Sequence, residues 1–470
     1  MKLDKTSTFP KTPTGISGLD EVTKGGFPKG RPILICGSAG CGKTLFGIQF
    51  LVKGITEHNE PGIFMSFEET SKDLSQNVIS LGYDLEKLKK ADKLRVDYVR
   101  IDKSEIEETG EYDLEALFIR LNHAIDSIGA KRVVLDTVES LFGGMENQAL
   151  LRSEIRRLFQ WLREKGVTTV ITGERGERSL TRQGLEEYVS DCVILLDFRV
   201  IDQIATRRLR IIKYRGSTHG TNEYPFLIDQ DGISVIPVTS LQLNYKSPKD
   251  VISTGLPALD KLFDQKGMFR GNSILLTGTA GTAKTIIASY FAIGGCKRKE
   301  RVLYFSFEES PDQLIRNMLS IGLNLKPHIK SGLLRIHASR PTLQGLEMHL
   351  LLLHKYMMDF KPQTVVIDPI SSLVTIGSNS EVRAMLVRLM DLLKTNEVNS
   401  LFTSLTHTNP GNGDATVDAV SSLADTWIEL SNTYGASTRE RGLLIVKSRG
   451  TGHSNKMHQF TINNKGIQIN

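Results

Sequence analysis

Three observations predict an α/β protein of two tandem phosphate-loop domains, each a mostly parallel twisted sheet with helices on both faces. Short apolar runs rich in β-branched residues, RPILICG, PGIFMSF, KRVVLDT, VTTVITG and DCVILLD, alternate with stretches of helical period. Runs of that length read as buried parallel strands whose crossovers are helices. A glycine-rich loop follows an apolar run twice, as GSAGCGKT at 37–44 and GTAGTAKT at 278–285. Finally, whole blocks of sequence return in the same order farther along the chain.

The strands and helices carry their own signals. SEIRRLFQWLREKG (153–166) sets Ile155, Leu158, Phe159 and Leu162 at helical spacing, with Gly166 as its stop and Trp161 as a packing residue. In a sheet of this kind the ligand sits beyond the carboxyl ends of the strands, where both glycine-rich loops fall.

The repeat fixes the domain organisation. TGISGLD (14–20) returns as TGLPALD (254–260) and SFEET (66–70) as SFEES (306–310). RVVLDT (132–137) answers to TVVIDP (364–369), and IIKYRG (211–216) to IVKSRG (445–450). Ordered blocks at nearly constant displacement mean duplication of a whole domain, not a short solenoid repeat. The break falls near Ser240 to Asp250, giving domains 1–243 and 244–470.

Each loop predicts an ATP site with magnesium. In the first, Gly37, Ser38, Ala39, Gly40, Cys41 and Gly42 wrap backbone N–H groups round the phosphates. Lys43 reaches the terminal phosphates and Thr44 offers a hydroxyl to Mg2+. In the second, Gly278, Thr279, Ala280, Gly281, Thr282 and Ala283 precede Lys284 and Thr285. Ala283 stands where the pattern has glycine, which weakens the second site without deleting it. Asp136 and Asp368 end apolar strands and are the expected magnesium carboxylates, beside Thr44 and Thr285. Glu68 with Glu69, and Glu308 with Glu309, close a second strand in each half. Side chains alternate along an extended backbone, so one of each pair faces the phosphate, and Glu68 and Glu308 are the expected bases. The bland alternative is an acidic first turn of a helix. Lys213 with Arg215, and Lys447 with Arg449, project in pairs from strand-like sequence and suit a terminal phosphate, although a solvated strand face looks similar.

Composition narrows the classes. The 470 residues, 40% hydrophobic, suffice for two cores. A net charge of +6 is too mild to demand nucleic acid. Cys36, Cys41, Cys192 and Cys296 lack metal or disulfide spacing and read as reduced core thiols. No apolar run spans a bilayer and MKLDKTSTFP lacks a signal core, so a cytoplasmic location without membrane contact is expected.

Taken together, the doubled RecA-like domain, the Phe-Glu-Glu motif after each loop and the Lys-x-Arg-Gly strand near the end of each half resemble the KaiC family of clock ATPases and autokinases. The likeness runs from Thr14 to about Gly466. It implies a homohexamer in which Lys213, Arg215, Lys447 and Arg449 reach a neighbour's nucleotide, with a KaiB-like protein or a signalling partner outside the ring. It also implies phosphorylation at Ser421 and Ser422, an adjacent hydroxyl pair followed by Asp425, with Thr416 upstream. Aligning DAVSSLADTWI with GLEEYVSDCVI sets the two serines opposite Glu187 and Tyr188, so the acceptor pair belongs to the second half alone. The sequence given stops at Asn470, where the family's clock member continues into a tail that recruits its kinase activator; phosphorylation without an activator on such a tail is therefore expected. The reading is an ATPase and serine autokinase in signalling, stress adaptation or clock-like timing. A RecA-type recombinase or helicase, and a platform that binds ATP only to assemble, are the alternatives.

Overall fold

The computed structural model describes residues 9–99, 114–137, 139–140, 148–176, 180–181, 190–201, 204–237, 248–343, 345–406, 420–434 and 439–469. The chain divides into two compact units, Met1–Ser240 and Leu241–Asn470.

In the first unit the main sheet comprises β1 (Pro32–Gly37), β2 (Gly62–Ser66), β3 (Leu94–Tyr98), β4 (Arg132–Asp136), β5 (Thr168–Glu174), β6 (Cys192–Ile201), β7 (Ile204–Tyr214), β8 (Glu223–Asp229) and β9 (Gly232–Val235). Their order is β9-β8-β7-β6-β1-β5-β4-β2-β3. Strands β1 to β6 pair in parallel, and β7, β8 and β9 extend the sheet antiparallel. The helices α1 (Lys43–His58), α2 (Ser71–Ile79), α3 (Glu115–Ile128) and α4 (Gln148–Lys165) cover it. Helix α4 begins five residues before the expected start and stops at Gly166, whose φ of 67° suits glycine.

Strand alternation sorts the core into two layers. Phe64, Val134 and Val170 face α1 and α2, joining Phe46, Phe50, Leu74 and Val78. Ile63, Met65, Val133, Leu135 and Ile171 face α3 and α4, joining Leu121, Ile155, Leu158 and Leu162. Trp161 stacks on Phe118 at 5.1 Å between ring centroids. Helix α1 lies close to the sheet because Gly47 has no side chain: a Cβ there would stand 2.7 Å from Val134 Cγ1.

The second unit repeats the plan with β10 (Ser273–Gly278), β11 (Val302–Ser306), β12 (Leu334–Ala338), β13 (Thr364–Asp368), β14 (Asn399–Leu405), β15 (Thr426–Tyr434), β16 (Arg439–Ser448), β17 (His458–Asn463) and β18 (Gly466–Ile469). Read from the far edge, the order β18-β17-β16-β15-β10-β14-β13-β11-β12 matches the first sheet strand for strand. Its helices are α5 (Lys284–Lys297), α6 (Pro311–Leu319), α7 (Leu346–Asp359) and α8 (Asn379–Thr395). These are two RecA-like domains, with the loop-bearing strand at the centre of each sheet.

Candidate nucleotide sites

Each phosphate loop joins the central strand to the helix behind it. In the first, Gly40 and Gly42 take φ of 73° and 103°, the left-handed conformation that turns the chain into α1. The Lys43 ammonium is buried and donates to the carbonyls of Gly37 (2.9 Å) and Ser38 (3.0 Å). The second loop has the same form. Ala283 adopts φ of 78° at the N-cap of α5, so the loop closes despite its methyl group. Lys284 donates to Gly278 O at 2.7 Å and Thr279 O at 2.9 Å. Burial holds its ammonium below the ordinary lysine range.

The strand-end carboxylates are fixed differently in the two halves. Thr44 Oγ1 donates to Asp136 Oδ2 at 2.8 Å, and Thr172 on β5 donates to Oδ1. Burial pushes the Asp136 carboxyl above its usual range, and both hydroxyl bonds oppose that shift. In the second half Thr403 on β14 takes the place of Thr172 on Asp368 Oδ1. The other oxygen, however, accepts from Tyr304 Oη at 2.7 Å, where the sequence reading expects Thr285 alongside.

The paired acids do not extend the strands as expected. They lie in a bend after β2 and after β11, and the bend separates them. Glu68 Oε1 accepts from Thr137 at 2.9 Å and Ser140 at 2.7 Å, next to Asp136. Glu69 turns to Asn77 on α2 (3.0 Å). Likewise Ser372 donates to Glu308 at 3.2 Å, while Asn317 on α6 donates to Glu309 at 3.3 Å. Burial raises the Glu309 carboxyl. Helices α2 and α6 are capped by Thr70 and Ser310, so the acids are not needed as caps.

The Lys-x-Arg pairs sit at a bulge the sequence did not reveal. Val193 pairs with Lys213 but Ile194 with Ile211, and Trp427 pairs with Lys447 but Ile428 with Ile445. The extra residue re-aims each lysine. Arg215 and Arg449 lie just beyond the strand ends, each with its N–H on an aspartate carbonyl, Asp191 and Asp425, at 2.8 Å. Lys447 Nζ donates to Ser421 O, and Arg449 Nη2 to Ser422 O at 2.5 Å. The second-half cations thus grip the backbone of the serine turn. The Asp425 carboxylate points elsewhere, to Ser273 (2.8 and 2.9 Å) and Lys394 (3.1 Å). Thr416, Glu187 and Tyr188 lie outside the described residues.

Thr172, Thr403, Thr137, Ser140, Ser372 and Tyr304 are the site residues that sequence reasoning missed. Thr172 and Thr403 occupy matching places in β5 and β14, so an alignment of the halves extended past the motifs would have found them. The donors fit a nucleotide-borne Mg2+. In the first half hydroxyl and carboxylate lie side by side, with the buried Lys43 ammonium on the same loop, and such a metal takes one or two protein oxygens plus phosphates. Among the described residues no group of three or more His, Cys, Asp or Glu comes together as a metal cage.

A central strand, a closed glycine loop with its lysine, and an adjacent strand-end carboxylate, present twice, define a tandem RecA-like P-loop protein. The chain belongs to the KaiC ATPase family: the family model described as "ATPase: KaiC" matches residues 12–240 and again 252–470. It is 54% identical over 460 residues to the "Circadian clock protein KaiC2" of Synechocystis sp., covering 98% of this chain and 81% of that one. It is 38% identical over 463 residues to the "Circadian clock oscillator protein KaiC" of Parathermosynechococcus lividus (98% and 85%), and 36% over 473 residues to the "Circadian clock protein KaiC3" of Synechocystis sp. (99% and 92%). Among the described residues no helix is long and apolar enough to cross a membrane.

Proposed function

We propose that both halves bind ATP with Mg2+, that the first hydrolyses it, and that the second also transfers the terminal phosphoryl group to Ser421 and Ser422. Loop amides and Lys43 or Lys284 neutralise the phosphates. Thr44 with Asp136, and Thr285 with Asp368, would hold the metal, which would supply positive charge against the charge developing on the transferred phosphoryl group. In the first half Glu68 orients water and takes its proton. Glu308 does so for a serine: Oγ attacks the terminal phosphorus, the bond to the β–γ bridging oxygen breaks, ADP leaves, and the proton passes to Glu308.

One observation carries the kinase reading: Lys447 and Arg449 hold the Ser421 and Ser422 carbonyls. Cations suited to a terminal phosphate, at the end of β16, thereby lie against the turn that carries the acceptor hydroxyls. If Lys447 and Arg449 serve a neighbour's nucleotide, the acceptors come with them, which makes transfer an event between subunits of a nucleotide-assembled hexamer. ATP bound between subunits favours the ring by mass action. The relatives' printed names support a role in timing, and signalling or stress adaptation uses the same chemistry.

The test is phosphopeptide mapping after incubation with Mg2+ and γ-labelled ATP, beside hydrolysis assays. Label should fall on Ser421 and Ser422 and vanish in the Ser421→Ala, Ser422→Ala double variant, with hydrolysis retained. Lys43→Ala should remove most hydrolysis. Unlabelled wild-type protein, or label that persists in the double variant, refutes the kinase reading; turnover that survives Lys43→Ala but not Lys284→Ala reverses the assignment of the halves.

A further inference from the structure

The two halves differ behind the metal carboxylate by a matched pair of substitutions. On the first sheet Phe64 packs beneath α1 near Ile48, and both are buried. At the equivalent places the second half has Tyr304 and Ser289, each at most 1% exposed. The Tyr304 ring crosses from β11 under α5 and its hydroxyl donates to Asp368 Oδ2 at 2.7 Å. Ser289 lies in α5 beside that phenol and donates to the Thr285 carbonyl at 2.8 Å. A hydroxyl is costly to bury without a partner. Here the partner is the carboxylate that the site depends on. In the first half the matching oxygen, Asp136 Oδ2, is held by loop residue Thr44.

We infer that Tyr304 is a positioning residue specific to the second site: its phenol replaces the loop threonine in fixing Asp368, which leaves the Thr285 hydroxyl free for metal. The inference rests on Asp368 being the magnesium carboxylate. Partners that orient a metal-binding carboxylate typically contribute tenfold or more to metal affinity. Removing the hydroxyl leaves Oδ2 buried with one donor fewer and lets the carboxylate turn toward Thr285. The second site is thereby tuned separately from the first, by a residue outside both the loop and the acid pair.

The experiment uses the full chain in a Lys43→Ala background, so that the second site is read alone. Binding of a fluorescent, non-hydrolysable ATP analogue is titrated with Mg2+, and again in EDTA. Tyr304→Phe keeps the ring, as Phe64 does in the first half, and should raise the half-saturating Mg2+ by about tenfold while binding in EDTA is unchanged. Asp368→Asn is the control and should raise it at least as much. If Asp368→Asn shifts the Mg2+ dependence and Tyr304→Phe stays within twofold, the role of Tyr304 is refuted while Asp368 keeps its own. If Tyr304→Phe weakens binding equally with and without Mg2+, the residue only supports the fold and the inference fails. If Asp368→Asn has no effect, the metal assignment falls and takes Tyr304 with it.

Discussion

Exchanging glycine and alanine at the last loop position before the lysine should have unequal effects in the two halves. Ala283 sits at φ of 78° and Gly42 at 103°. The left-handed conformation costs an alanine about 1–2 kcal/mol. Ala283→Gly relieves that strain, but gives back about 0.4–1 kcal/mol through the freer unfolded chain. It also forfeits about 0.4 kcal/mol for a half-buried methyl group, which packs against the core beneath α5. The net is about 0.5 kcal/mol in favour of glycine, nearly neutral. Gly42→Ala reverses the first two contributions and adds crowding, because its Cβ would stand 2.9 Å from Ile228 Cδ1. A side-chain tip can yield, so the total loss is about 1–2 kcal/mol, or a fall of about 3–6 °C in melting temperature for a unit of this size. Calorimetry of the full chain and titration with a fluorescent ATP analogue measure both. Ala283→Gly should leave second-site affinity within about threefold, since the loop is already closed. A tenfold or greater gain in affinity for Ala283→Gly would refute the idea that the alanine loop is preformed, and an unaltered melt for Gly42→Ala would refute the strain and crowding assigned to that position.

Two further outcomes follow from burial. Lys284 loses its proton at lower pH than a free lysine, whereas bound phosphate restores it, so second-site nucleotide binding should be full at neutral pH and weaken as pH rises through the depressed pKa, before the ordinary lysine range; a binding titration across alkaline pH that stays flat would contradict this. Arg132 is fully buried, with Nε on Glu60 (2.7 Å) and Nη1 on Phe50 O (2.9 Å), so Arg132→Ala should cost about 2–4 kcal/mol in urea unfolding, through a cavity and a stranded carboxylate.

The sequence by itself determined the duplicated α/β plan, because strand and helix periods are local and the loop pattern is tied to backbone geometry. GSAGCGKT, GTAGTAKT and the two strand-end aspartates could be placed from spacing alone. Tertiary structure alone decided how those groups are held. Asp136 meets Thr172, and Asp368 meets Thr403 and Tyr304, across neighbouring strands of the sheet. Such a contact depends on parallel register and on which strands adjoin, and no local signal encodes either. The bulge before Lys213 and Lys447 was invisible for the same reason: it exists only relative to the partner strand. The parting of Glu68 from Glu69 required the chain to leave β2 in a bend, where strand alternation no longer applies. The grip of Lys447 and Arg449 on the serine turn joins segments some 26 residues apart, and only the folded chain brings them to one place.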